Sequence, residues 1–132
     1  MTRQTFSGAI LAAFLAVTGL VSSAFAGGTA PYTAEAFKAA QTAGHPVLIE
    51  IHADWCTTCK AQEPIVGRLT SDAKFKNLTI LRVDFDAQKA VVKQFGARMQ
   101  STLIVFKGTT EAGRSVGDTR EASIAALLDK AL

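Results

Sequence analysis

The apolar run HPVLIEIHA, residues 45–53, constrains the fold of this chain more than any other segment. It is nearly continuous and rich in Val and Ile, which is typical of a strand buried on both faces of a parallel sheet. Such a strand needs helices on both sides of its sheet. The run therefore predicts a layered α/β protein, with Glu50 as an acidic side chain among apolar neighbours.

Helices and strands alternate along the chain on either side of this run. Residues 27–32 predict a flexible lead-in, and the short link between the last two strands requires an antiparallel pair. The order predicts a three-layer α/β/α sandwich around a mixed central sheet. The other predicted elements are a helix from Thr33 to Gly44, a helix from Cys56 to about Leu69 that Pro64 kinks or interrupts, a strand from Leu78 to about Phe85, a helix over 87–96, strands at 102–108 and 113–118, and a terminal helix capped by Thr119.

The first 26 residues have the pattern of a signal peptide. Arg3 precedes an apolar stretch at 9–21, and Ala24 and Ala26 frame a small-residue cleavage site. At about 13 residues the stretch is shorter than the roughly 20 that span a bilayer. We therefore expect residues 1–26 to be removed and residues 27–132 to form one periplasmic or secreted domain without stable membrane insertion. The alternative is an uncleaved N-terminal anchor.

The charge of the chain gives little support to a nucleic-acid partner. The formal net charge is +3, and the lysines and arginines are spread along the sequence without a basic run. We expect no nucleic acid among the partners.

The two cysteines, Cys56 and Cys59, admit three interpretations: a structural staple, metal ligands or a redox-active dithiol. A bridge between residues three apart closes a very small loop and removes little entropy from the unfolded chain, so it is a poor staple. Cys56 is predicted at a helix N-terminus, where free N–H groups and the helix dipole stabilise a thiolate and make it the nucleophile. Cys59, one turn later, is predicted to be more buried and to act as the resolving thiol.

The sequence resembles the thioredoxin family across nearly the whole mature chain. The resemblance rests on WCTTCK at 55–60, Pro64, RVDFD at 82–86, FGARMQST at 95–102 and the turn at Gly117. It is most similar to the periplasmic reductase domains of thiol:disulfide interchange proteins. The resemblance implies a thioredoxin-like fold, an exposed nucleophilic Cys56 and no cofactor beyond the dithiol.

Glu50 matches the position at which thioredoxins place a buried acid behind the second cysteine. Burial in an apolar strand should raise its pKa and prepare it to accept a proton from Cys59. An ion pair with Arg82, where the family often has a lysine, would oppose that shift. The alternative is a Glu50 that reaches solvent at the strand end.

Ser101 departs from the family pattern, which has a cis-proline before the third strand. Because a cis bond costs about 2.5–4 kcal/mol without proline, the peptide before Ser101 is predicted to be trans. The resemblance implies that this loop pairs with a substrate strand, so Ser101, Thr102 and the shielding Trp55 are the predicted substrate-binding residues. His52 is predicted to be a packed polar residue.

These patterns together predict an exported thiol-disulfide oxidoreductase that acts through Cys56, Cys59 and Glu50. We expect it to reduce protein disulfides of the envelope and to be recharged by a membrane electron donor. The main alternative is a module that binds or delivers Cu(I) or Zn(II) through the cysteines, with His52 as the ligand to suspect. A binding or chaperone-like protein on the same scaffold is the third hypothesis.

Overall fold

The computed structural model describes residues 28–132, so the predicted signal peptide and the predicted mature start at Gly27 lie outside the described residues. The described part contains five strands, four helices and a 3-10 turn at Ala73–Phe75. The elements in chain order are β1 (Thr29–Pro31), α1 (Ala34–Thr42), β2 (Val47–His52), α2 (Thr57–Thr70), β3 (Thr79–Asp84), α3 (Lys89–Gln94), β4 (Thr102–Lys107), β5 (Thr110–Val116) and α4 (Glu121–Asp129).

The strands form one mixed sheet in the order β1-β3-β2-β4-β5. Strands β1 and β2 both run parallel to β3, while β4 is antiparallel to β2 and β5 is antiparallel to β4. The predicted α/β class and mixed central sheet are confirmed. The apolar run at β2 occupies the middle of the sheet, as its burial on both faces requires.

Helices cover both faces of the sheet. Val47, Ile49 and Ile51 of β2 point to one face and pack in a core that also includes residues of α1 and α3. Leu48 points to the other face and packs in a core with residues of α2 and α4. Because successive side chains alternate along a strand, Glu50 shares the face of Leu48, beneath α2.

The predicted flexible lead-in at residues 27–32 is wrong for most of its length. Residues Thr29–Pro31 form β1, the edge strand that pairs with β3. The backbone N–H of Tyr32 donates to the Arg82 carbonyl at 2.8 Å. Tyr32 itself is buried. A proline is tolerated here because β1 is an edge strand, so the missing N–H breaks no ladder.

Helix ends follow the sequence prediction at one cap and depart from it at another. The Thr33 hydroxyl accepts the Ala36 N–H at 3.0 Å, which confirms the predicted cap of α1. The predicted Thr119 cap is wrong, because α4 begins after Arg120, whose backbone N–H donates to Asp118 Oδ1 at 3.0 Å. Helix α2 continues through Pro64 rather than stopping there.

No helix between residues 28 and 132 is both long enough and apolar enough to cross a membrane.

Candidate active site

The two cysteines lie where β2 gives way to α2. Cys56 is the N-cap of α2 and is joined by a disulfide bond to Cys59, with their Cα atoms 5.2 Å apart. The Cys59 backbone N–H donates to Cys56 Sγ at 3.0 Å. The predicted placement of Cys56 at a helix N-terminus is confirmed, and in the reduced protein this N–H would stabilise a thiolate.

The predicted difference in exposure between the cysteines is wrong for this disulfide-bonded state, since each is 3% exposed. Ala53 is buried with them, and Phe85 packs against this cluster. The two sulfurs differ instead in their polar surroundings. Cys56 Sγ accepts an N–H, whereas Cys59 Sγ lies 4.0 Å from the Ile51 carbonyl oxygen, which favours a protonated thiol over a thiolate there.

Glu50 is buried beneath α2, at 6% exposure, so the alternative of a solvent-reaching carboxylate is wrong. Burial raises the pKa of Glu50 above its ordinary value, and the charge and hydrogen bonds of Arg82 oppose that rise. Arg82 Nε and Nη2 both donate to Glu50 Oε2, at 3.1 and 3.0 Å. Both effects predicted for this carboxyl are therefore confirmed.

A small cavity joins Glu50 to the second cysteine. Its volume is about 10 Å³, and both Glu50 and Cys59 line it together with Arg82 and Gln62. Such a volume has room for about one water molecule, and a water there would border both the carboxyl and the sulfur. The arrangement can therefore pass a proton from the Cys59 thiol towards the Glu50 carboxylate.

The Ser101 loop, residues 99–102, lies beside the disulfide. No peptide bond between residues 28 and 132 is cis, which confirms the trans bond predicted before Ser101. The Ser101 N–H donates to the Ile51 carbonyl at 2.8 Å, the same oxygen that lies near Cys59 Sγ. Thr102 is 1% exposed and its hydroxyl donates to the Met99 carbonyl at 2.7 Å, so its side chain braces the loop from within.

Two side chains precede the disulfide in the chain: His52 at the end of β2, and Trp55 next to Cys56. Trp55 is 59% exposed, and its indole N–H donates to Asp86 Oδ2 at 2.7 Å, so an apolar ring is held at the surface next to Cys56. The His52 side chain is mostly buried, with Nε2 3.5 Å from Asp54 Oδ1. Within residues 28–132 no group of three or more His, Cys, Asp or Glu side chains is arranged to hold a metal ion, so His52 does not complete a site with the cysteines.

The thioredoxin family model matches residues 28–130. This chain belongs to the thioredoxin family. It is 37% identical to a thioredoxin of Chlamydia muridarum over 84 residues, covering 64% of this chain and 80% of the relative. It is 33% identical to the thioredoxin Asp f 29 of Aspergillus fumigatus over 87 residues, covering 66% and 79%. The crystal structure of Trxlp from Edwardsiella tarda superposes with a TM-score of 0.74 at 39% identity, covering 76% of this chain and 98% of that one.

Family membership and the paired cysteines together make this protein a disulfide oxidoreductase with Cys56 and Cys59 as its redox-active centre. The thioredoxin family indicates protein disulfides as the class of substrate. The thioredoxin-like fold inferred from the sequence is confirmed by the same matches.

Two polar residues of α2 complete this thioredoxin-family site and were not predicted from the sequence. Glu63 Oε1 lies 2.7 Å from Arg82 Nη1, so Arg82 bridges one carboxylate of β2 and one of α2. Gln62 is buried at 4% exposure and donates from its side-chain amide to the Ser101 carbonyl. Gln62 follows Cys59 by three residues and precedes Val66 by four, and this helical spacing was the signal for its burial.

Proposed function

We propose that this oxidoreductase works outside the cytoplasm, in the periplasm or as a secreted protein, where it reduces the disulfides of envelope proteins. Residues 1–26 would direct export, and a membrane electron donor would return the oxidised Cys56–Cys59 pair to the dithiol form. The observation that supports the exchange chemistry of this proposal is the buried Glu50 carboxyl on the same small cavity as Cys59, while the proposed export rests on the sequence pattern of residues 1–26. A proton acceptor at that place promotes attack by the second thiol, which is the step that releases a reduced substrate.

The reaction begins with the reduced protein. The Cys56 thiolate, held by the Cys59 N–H, attacks one sulfur of a substrate disulfide, forms a mixed disulfide and expels the other substrate sulfur as a thiolate that takes up a proton. Cys59 then passes its proton to Glu50 through the cavity and attacks Cys56 Sγ. The second substrate thiolate leaves and is protonated. Two electrons have moved to the substrate, and the Cys56–Cys59 disulfide seen in this structure is the product.

The proposed direction, reduction of substrates, is supported by the surroundings of Cys56. A strongly oxidising pair needs a reduced form in which the nucleophilic thiolate is exceptionally stabilised. Among the described residues, Cys56 Sγ receives one protein hydrogen bond, from a neutral backbone N–H. That single neutral donor, seen in the disulfide form, is not the set of contacts expected around an exceptionally stabilised thiolate, so we expect the pair to act as a reductant.

Trapping in the cell tests direction and location together. In the full chain, Cys59→Ser should leave Cys56 in mixed disulfides with its substrates, because the resolving thiol is absent. Cys56→Ser is the matched control and should trap none. We expect the trapped complexes in the envelope fraction, containing a protein that begins at Gly27, and we expect the wild-type dithiol to be mainly reduced when alkylated in living cells. Complexes confined to the cytoplasm, or a wild-type pair that is mainly oxidised, would contradict the proposal.

A further inference from the structure

Ser101 has a backbone conformation that its residue type disfavours. Its φ angle is +59°, and it is the only residue other than glycine with a positive φ between residues 28 and 132. A side chain in this left-handed region crowds the following carbonyl oxygen, so the conformation persists only where neighbouring contacts impose it. The loop beside the disulfide is therefore held in place rather than relaxed.

Backbone contacts supply part of that restraint. The Ser101 N–H donates to the Ile51 carbonyl at 2.8 Å, and the Ser101 carbonyl accepts the Gly117 N–H at 2.9 Å. The Ser101 hydroxyl also donates to the neighbouring Gln100 carbonyl at 2.5 Å. A proline at this position has no N–H and could not make the first of these bonds. The serine loop thus depends on a different set of contacts from a proline loop.

Gln62 supplies the remaining restraint from the helix that carries the cysteines. Its Nε2 donates to the Ser101 carbonyl at 3.2 Å and to the Asp118 carbonyl at 2.9 Å, so both amide hydrogens are used. At 4% exposure it is a buried polar side chain, and it lines the same small cavity as Glu50 and Arg82. A planar amide that spans two backbone carbonyls fixes distance and direction together, as an apolar side chain in the same place would not.

We propose that Gln62 is a positioning residue that locks the Ser101 loop against the start of α2, and that this lock determines how well a protein disulfide docks at Cys56. The inference rests on the disulfide exchange at Cys56–Cys59 and is independent of where in the cell that exchange occurs. We expect a polypeptide substrate that brings a disulfide to Cys56 to contact the neighbouring loop, where Met99 is 51% exposed. A small disulfide reaches the sulfur without that contact. The loop geometry therefore discriminates between the two kinds of substrate.

Gln62→Leu and Gln62→Met remove both donors while nearly keeping the volume. The matched control is Gln41→Leu, because Gln41 Nε2 likewise donates to a backbone carbonyl, that of Gly108 at 3.1 Å, in the turn between β4 and β5. Each variant is made in the full chain, charged with dithiothreitol, and assayed for reduction of insulin and of oxidised glutathione. Two Gln62 variants are used so that a folding defect in one leaves the other to decide.

We expect the Gln62 variants to lose about tenfold in kcat/KM on insulin, mainly through KM, with glutathione disulfide changed by less than about twofold. Hydrogen exchange at the Ser101 and Gly117 amides should accelerate in both variants and stay unchanged in Gln41→Leu. Equal losses on both substrates, or unchanged exchange at Ser101, would overturn the inference. A wild-type protein that reduces neither substrate would instead refute the proposed function, so the two failures are distinguishable.

Discussion

Replacing Arg82 by methionine should destabilise the protein in a manner that depends on pH. The substitution keeps most of the aliphatic stem and removes the guanidinium that donates twice to Glu50, at 3.1 and 3.0 Å. Glu50 is then a buried carboxyl with no cationic partner. Removing one member of a buried pair costs about 3–5 kcal/mol when the other must stay charged.

Proton uptake by Glu50 limits that loss. Protonating an ordinary glutamate, with a pKa of about 4.3, at pH 7 costs about 3.7 kcal/mol. Burial has already raised the pKa of Glu50 in the native protein, so we expect the electrostatic loss at pH 7 to be smaller than this. The variant raises that pKa further, so its folded state binds more protons than its unfolded state. Its stability is therefore retained below the unfolded pKa and falls as the pH rises towards the folded pKa.

Urea unfolding of the reduced protein at pH 5 and pH 7 measures this difference. We expect the loss on Arg82→Met to shrink to about 1 kcal/mol at pH 5. Most of its pH dependence should disappear when Glu50→Gln is added, because Glu63, the other partner of Arg82, is partly exposed. The control is Arg68→Met, which breaks the ion pair between Arg68 and Glu121. Its N–O distance, 2.9 Å, is similar to that of the buried pair, but both side chains are more than half exposed. That loss should stay below about 1 kcal/mol at both pH values. Equal losses at pH 5 and pH 7 for Arg82→Met would refute the reasoning.

Three further changes test other parts of the structure. Ser101→Gly should raise the free energy of unfolding by up to about 1 kcal/mol, because glycine tolerates the left-handed backbone, and a destabilised variant in urea unfolding would contradict this. Thr33→Ala should lower it by about 1 kcal/mol through loss of the cap to Ala36, whereas Thr33→Asp should retain most of it. Trp55→Phe loses the bond to Asp86 at an exposed site, so thermal unfolding should barely change while KM for insulin rises roughly fivefold.

The sequence predicted those parts of the fold that have long apolar patterns. Strand β2 was predicted within one or two residues because a run buried on both faces leaves few alternatives. Strand β1 has three residues, too few to show a period, and its pairing depends on a β3 edge distant in the sequence. The cap of α4 was misplaced because the helix begins after Arg120, which makes no side-chain capping bond and is not a residue type that capping preferences select.

At the site, the order of a buried strand leading directly into a helix predicted the placement of Cys56 and Cys59, and the resemblance to thioredoxins added Glu50 to them. The restraints around them were not predictable in the same way. The pairing of Glu63 with Arg82 depends on how α2 crosses the sheet. The left-handed backbone of Ser101 arises from contacts with segments far away along the chain, which local preferences do not encode.

The pairing of Glu50 with Arg82 also bears on how the sheet assembles. The two residues are directly opposite in the parallel register of β2 and β3. A shift of one residue in the register would place Leu81 or Val83 opposite Glu50. The carboxyl would then be buried among apolar side chains without its cationic partner. The pair therefore disfavours a shifted register of the two central strands. The same carboxyl that shares a cavity with Cys59 thus also helps to specify how β2 and β3 pair.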